Sequence, residues 1–231
     1  MTKYAWLGAS ALLFASCGSN DIVPVSLEAE GAKEAYIFRI DATQLVPWDT
    51  LYADGQFDTE LPLDSTGSTF YVFAFDNNAN IRLGIEAGDD IEGRVSINET
   101  KVTTYEVEGS ELSEKLLAHY LPLRHTALLM DSLTAEAAGF QGQPDAAERN
   151  AQLFARFQDR VARHKSELDE QLTADPGSLA NIFAIFQAAG NMPLYNPQQD
   201  SALIRTLVDA LNEQHPDHPL VKTFVQTVAR P

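Results

Sequence analysis

The order of two kinds of sequence pattern constrains this chain more than any other feature. Up to Gly109 the chain consists of short runs rich in β-branched and aromatic residues, separated by turn residues. From Ser110 onward, apolar residues recur at three- and four-residue steps, as they do on one face of a helix. Strands followed by helices favour an α+β protein over a doubly wound sheet. We therefore predict an antiparallel β-sandwich or barrel over residues 34–109 and an α-helical bundle domain over residues 110–231.

The β half has one dominant strand prediction, Ser68–Phe75, whose aromatic residues alternate between two faces. The aromatic residues of this half are Tyr36, Phe38, Phe70, Tyr71, Phe73 and Phe75. One set must enter the core, and the other lines either a ligand groove or a contact with the helices. Asp54-Gly55 is a favoured two-residue turn, so it predicts a hairpin between Trp48–Ala53 and Gln56–Leu61.

The helical half is predicted to begin at Ser110, a residue type that caps helix N-termini well. Pro122 is expected to kink or interrupt the first helix. Asp145–Leu172 is the longest helical stretch, and His164 lies on its apolar face, where a buried or boundary histidine with satisfied hydrogen bonds is expected. Leu179–Ala189 is short and strongly apolar, which predicts a central buried helix.

The N-terminus is typical of a bacterial export signal. Lys3 is followed by an apolar run from Ala5 to Phe14, which is too short to span a bilayer. Phe14-Ala15-Ser16-Cys17 resembles the lipobox of bacterial lipoproteins. That resemblance implies a signal peptide over residues 1–16 and a lipid on Cys17, which anchors the protein to the inner or outer membrane, facing the periplasm. The alternative is an ordinary secretory signal with a chance cysteine. Residues 17–33 are predicted to be a mobile polar tether.

Charge and cysteine content exclude several classes of function. The chain has 16 Lys and Arg residues against 33 Asp and Glu residues, a formal net charge of -17. Such a surface does not suit nucleic acid, which proteins bind through basic residues, so no nucleic-acid partner is expected. A single cysteine rules out an intramolecular disulfide, a Cys-x-x-Cys redox pair and a thiolate zinc site.

No catalytic constellation, metal site or cofactor motif emerges from the sequence, so a non-enzyme is predicted. Asp76-x-Asn78-x-Asn80 resembles the start of a calcium loop, but Ile81 stands where glycine is needed, and a polar turn is the better interpretation. His215 and His218 could present two imidazoles to a metal ion, but Pro216 between them prevents regular helical spacing. We interpret this segment as a solvated turn between helices.

Several stretches resemble a family of thioredoxin-like lipoproteins of Gram-negative bacteria. Those of its N-terminal β-domain are Ile81–Asp89, Thr104–Ser110 and Leu116-Leu-x-x-Tyr120. Those of its helical linker are Pro176–Phe186, Pro193–Pro197 and His215–Lys222. In that family a thioredoxin-fold domain with Cys-x-x-Cys usually follows, whereas this chain stops at Pro231. The resemblance thus implies a non-catalytic anchor or binding module associated with a thioredoxin-like protein or domain.

A second hypothesis comes from a different class of function. The aromatic-rich strands also suit a stand-alone envelope lipoprotein that binds a small ligand or a glycan on an open face of the β-domain. The sequence leaves both hypotheses open.

Overall fold

The computed structural model describes residues 21–42, 44–97 and 103–229. Within these ranges the protein is α+β, with strands in the N-terminal half and helices in the C-terminal half, and the predicted fold class is confirmed. The strands of the two large sheets are β1 (Ile22–Ala29), β2 (Glu34–Asp41), β3 (Gln44–Tyr52), β4 (Gln56–Pro62), β5 (Ser68–Phe75), β6 (Asn80–Glu86), β7 (Ile91–Ile97) and β8 (Thr103–Glu108). The remaining elements are α1 (Glu111–Ala138), α2 (Ala146–Ala174), α3 (Asn181–Ile185), β9 (Ala188–Ala189), β10 (Met192–Pro193), α4 (Ser201–Gln214) and α5 (Pro219–Val228).

The β half is a sandwich of two four-stranded sheets. The first sheet has the order β4-β1-β7-β8 and the second the order β3-β2-β5-β6. All neighbouring strands in them are antiparallel except β1 and β7, which are parallel. Side chains from both sheets form one buried cluster that includes Leu27, Phe57, Phe73 and Leu83. The sheets remain separate, so the sandwich alternative holds and the barrel does not.

The predicted tether over residues 17–33 is wrong over Ile22–Ala29, because this part of the chain is strand β1. Its odd-numbered residues from Val23 to Ala29 are buried between the sheets, while Pro24 is exposed. Pro24 lacks an N–H to donate. It is tolerated because pairing with β7 begins only at Val25, so Pro24 faces β4 alone. Apolar and polar residues alternate from Val25 to Ala29, and the tether prediction overlooked that this alternation has the two-residue period of a strand.

The predicted hairpin at Asp54-Gly55 is also wrong. Strand β3 pairs with β2 in the second sheet, and β4 pairs with β1 in the first. The turn therefore carries the chain from one sheet to the other. Phe57 and Leu61 on β4 lie opposite Leu27 and Val23 on β1, and all four side chains are buried. This apolar pairing outweighs the local preference for a hairpin.

The helices pack against the outer face of the second sheet. Their buried cluster includes Leu168, Leu207 and Phe224, and it extends to Phe70 on β5. Helix α1 runs unbroken through Pro122, so the predicted interruption is wrong. The predicted buried helix over Leu179–Ala189 is buried, but it is helical only over Asn181–Ile185, before the chain enters β9.

Candidate functional site

An open apolar cavity of about 750 Å³ lies between the second sheet and helices α3 and α5. We call it the apolar cavity. Its walls are formed by Phe38 and Ile40 of β2, Val72 and Ala74 of β5, Ile182 and Phe183 of α3, and Leu220, Thr223, Phe224 and Thr227 of α5, with Ala42, Leu45, Asn80, Arg82 and Phe186 completing the lining. Leu45 and Phe186 are 56% and 55% exposed, so they mark where the cavity meets solvent.

One face of strand β5 packs into the core of the sandwich, and the other face lines the cavity. Tyr71, Phe73 and Phe75 point into the sandwich and are buried in its core. Val72 and Ala74 alternate with them and face the helices, where their small side chains leave space. Phe38 lines the cavity from the neighbouring strand. The aromatic residues thus divide between core, helix contact and cavity, and Tyr36 is exposed.

The helices contact this sheet at the start of β5. The rings of Phe70 and Phe183 make an edge contact with centroids 4.9 Å apart. The Nε2 of His218 donates a hydrogen bond to the carbonyl of Ser68, over 3.2 Å. Phe70 and Ser68 lie two and four residues before Val72, which lines the cavity together with Ala74.

His218 also fixes the start of the helix that forms one wall. Its Nδ1 accepts a hydrogen bond from the backbone N–H of Leu220, which caps α5. The side chain is only 5% exposed, and burial lowers the pKa of His218. The interpretation of residues 215–218 as a solvated turn is therefore wrong for His218, which is a buried structural residue.

Within the described ranges, no group of three or more His, Cys, Asp or Glu side chains is placed to hold a metal ion.

Arg82 brings a positive charge to the apolar cavity. The centre of its guanidinium group lies 4.2 Å from the centroid of the Phe183 ring, within range of a cation–π interaction. Its Nε is buried and has no hydrogen-bond partner in the described part of the chain. Burial lowers the pKa of Arg82. Among the described residues no carboxylate lies within ion-pair distance of this guanidinium.

A second cavity of about 420 Å³ adjoins the first, and we call it the smaller cavity. Both are lined by Val72, Asn80, Arg82, Phe183 and Phe186. The smaller cavity is more polar, because Tyr105, His119, Tyr120 and Gln187 also line it. His119 is buried, and its Nδ1 has no hydrogen-bond partner among the described residues. Burial lowers the pKa of His119 to about 4, so its imidazole is neutral near pH 7.

The neighbouring His164 has the structural role that the sequence predicts. It is 0% exposed, its Nδ1 lies 3.1 Å from the hydroxyl of Thr126, and its Nε2 lies 2.9 Å from Oε1 of Gln187. The amide nitrogen of Gln187 in turn donates to the carbonyl of His119 over 3.0 Å. This network ties α2 to α1 and supports the wall of the smaller cavity.

Sequence reasoning missed Arg82 as a site residue. It lies between Ile81 and Leu83, which both point into the sandwich core, so the pattern alone places Arg82 on a solvated outer face. The only available signal was a lone cation inside the apolar stretch of this strand, between Ile81 and Leu83.

Cys17, the residue predicted to carry lipid, lies outside the described residues. In the described ranges, no helix has the length and apolar character required to cross a membrane.

Comparisons with known proteins show no family for this chain. No protein-family model matches it, and no curated protein does. One solved structure, described as the NMR structure of the protein from Eubacterium rectale, has 10% sequence identity and a TM-score of 0.26. The match covers 39% of this chain and 92% of that one. So low a TM-score supports no conclusion about fold or function, so any functional interpretation rests on the geometry of the two cavities.

Proposed function

We propose that this protein is an envelope lipoprotein that binds an apolar small molecule in the apolar cavity, without catalysing a reaction on it. The observation that supports this role is the cavity itself. Its volume of about 750 Å³ falls in the range of about 300–1,000 Å³ that is typical of small-molecule sites. Such sites are predominantly apolar with a few placed polar groups, which matches this lining.

The cavity is suited to binding because its floor is rigid. Val72 and Ala74 belong to the strand β5, which pairs with β2 on one side and β6 on the other. The other face of β5 is packed into the sandwich core. Ring contacts fix the opposite wall, where Phe186 meets Phe224 edge-on at 6.0 Å between centroids. A preformed site of this kind loses little conformational entropy when a ligand enters.

Filling the cavity tests this role. In the variant Ala74→Trp, an indole ring occupies the space next to Val72. We expect the neutral fluorescent probe N-phenylnaphthylamine to bind the wild-type protein saturably and to bind the variant about 10-fold more weakly or worse, since the ring excludes the probe. A fluorescence titration measures both affinities.

The matched control places the same residue on the surface. Ala155 is exposed on α2, away from the cavity, so Ala155→Trp should bind the probe like wild type. Thermal unfolding of all three proteins verifies that they are folded. No saturable binding to wild type, or equal binding by the two tryptophan variants, would refute the role.

Attachment to the membrane through Cys17 is a separate part of the same proposal. The lipobox-like Phe14-Ala15-Ser16-Cys17 supports it. A formal net charge of -17 gives the protein little attraction to anionic lipid, so acyl chains must supply the affinity, at about 0.8 kcal/mol per buried methylene group.

Removing the acceptor thiol tests the anchor. We expect Cys17→Ala to move the protein from the membrane fraction to the soluble fraction and to abolish incorporation of labelled palmitate. Ser19→Ala, two residues away, is the control and should remain membrane-bound. Cell fractionation with immunoblotting measures the distribution. If Cys17→Ala stays in the membrane fraction after signal cleavage, the anchor assignment is wrong.

Association with a thioredoxin-like partner stays a prediction from the sequence resemblance. The volume and apolar lining of the cavity support binding of a small apolar molecule, so ligand binding is the role that we propose.

A further inference from the structure

Two adjoining cavities of different character meet at Arg82. The larger one is lined mainly by aliphatic and phenylalanine side chains, and Arg82 is the only charged residue in its lining. The smaller one adds two tyrosines, a histidine and a glutamine. A molecule that spans both would therefore place an apolar body in one cavity and a polar end in the other.

The described residues supply no counter-charge for the guanidinium of Arg82. The chain has 33 acidic residues against 16 basic ones, yet none of its described carboxylates pairs with Arg82. The residue as a whole is half-buried, but its Nε is fully buried, and a buried N–H without an acceptor costs free energy. The unpartnered Nε–H of Arg82 is thus an open site for an anionic acceptor.

His119 also lines the smaller cavity and has a buried atom, Nδ1, without a hydrogen-bond partner among the described residues. Its Nδ1 is one of the four buried side-chain atoms without a hydrogen-bond partner in the described ranges, and Nε of Arg82 is another. Both residues line the smaller cavity, although they come from β6 and α1. The ring hydrogen-bonds the backbone carbonyl of Ala180, and because Nδ1 has no partner, the neutral imidazole carries its proton on Nε2 and presents Nδ1 as an acceptor. Arg82 is therefore the donor that an anionic group meets here, and His119 adds polarity to the smaller cavity.

We propose, on the basis of the ligand-binding role above, that the natural ligand is a monocarboxylic acid with a long apolar body. Its carboxylate accepts a hydrogen bond from Arg82 Nε, in the lining that the two cavities share, and its body fills the apolar cavity. One guanidinium matches a single negative charge. A dianionic phosphate monoester is disfavoured because the cavities contain no second cation and the surrounding protein is strongly acidic.

A pair of probes with the same body tests this inference. Dodecanoate and dodecanol differ only in the charged end group. We expect dodecanoate to displace N-phenylnaphthylamine from the wild-type protein about 10-fold more effectively than dodecanol, because a charge-assisted hydrogen bond to a guanidinium is stronger than a neutral one. Arg82→Met should lower the ratio of the dodecanoate affinity to the dodecanol affinity about 10-fold. Arg82→Lys, which keeps the charge, should retain part of the preference.

The outcomes separate this inference from the proposed function. Circular dichroism and thermal unfolding verify that Arg82→Met is folded. If the probe and dodecanol bind but dodecanoate has no advantage in wild type, the carboxylate inference is overturned and the apolar site survives. The same holds if Arg82→Met keeps the preference for dodecanoate. If neither the probe nor dodecanol binds wild type, the proposed function itself is wrong.

Discussion

Replacing Gly84 with valine is expected to destabilise the protein by about 3 kcal/mol, at the upper end of the usual cost of overpacking a core. Gly84 lies on β6 where helix α1 approaches the sheet most closely. A Cβ atom at this position would lie 2.5 Å from Cγ of Leu112 and 2.9 Å from Cε1 of Phe70. Neither side chain can retreat, because both are buried in the cluster that joins the helices to the sheet.

The hydrogen bonds of Gly84 make the conflict harder to relieve. Its carbonyl accepts hydrogen bonds from the hydroxyl groups of Ser110 and Ser113, each at 2.8 Å. Its N–H donates to the Ser113 hydroxyl over 3.1 Å. Because these bonds hold the start of α1 against the strand, any shift of the helix breaks them in a buried environment, where unpaired polar groups are costly.

Urea unfolding of the purified protein measures this effect, and a second substitution verifies its cause. Leu112→Ala removes the side chain that the new valine strikes, so the double variant should recover part of the loss relative to the sum of the single variants. Glu60→Val places the same residue on an exposed strand position and should change stability little. A Gly84→Val protein as stable as wild type would show that α1 is not held at this point.

Acidification is expected to weaken the fold between about pH 6.5 and pH 4 through His119. Burial lowers the pKa of this histidine from 6.5 to about 4 in the folded protein. Between these values the unfolded chain binds a proton that the folded protein does not, so the free energy of unfolding falls as the pH falls. The loss from this group is complete near pH 4 and amounts to about 3 kcal/mol. Burial also lowers the pKa values of His164 and His218, which act in the same direction.

Urea unfolding at a series of pH values measures this slope in the ligand-free protein. His119→Gln cannot take up a proton, so its free energy of unfolding should fall less than that of wild type over the same range. His125→Gln is the matched control, because His125 is exposed on the same helix. We expect the control to keep the wild-type slope. Equal slopes for wild type and His119→Gln would contradict the assignment.

The sequence predicted best what depends on short stretches of chain. The change from strands to helices after Gly109, the strand Ser68–Phe75 and the long helix from residue 145 are all present. In each case residues close in sequence carry enough apolar periodicity to specify their own element.

Errors occurred where a distant partner decides the outcome. Ile22–Ala29 looked like a tether because its buried face becomes apparent only when β4 and β7 lie beside it. Asp54-Gly55 looked like a hairpin turn because the sequence does not show that β3 and β4 belong to different sheets. Pro122 looked like a break in the first helix, but it is buried within α1, and the helix continues through it.

The sequence by itself determined the fold class and the acidic composition, and its single cysteine leaves no pair for an intramolecular disulfide or a Cys-x-x-Cys motif within these 231 residues. The tertiary structure alone decided which side of β5 is core and which is cavity, and it alone brought Arg82 and His119 into the lining of the same cavity. The physical reason is that periodicity shows that a strand has two faces, but not what covers the second one. A face of Val72 and Ala74 suits a packed helix as well as a ligand. Contacts of the helices with Phe70, Ser68 and Gly84 lie beside that face, and Val72 and Ala74 themselves line the cavity.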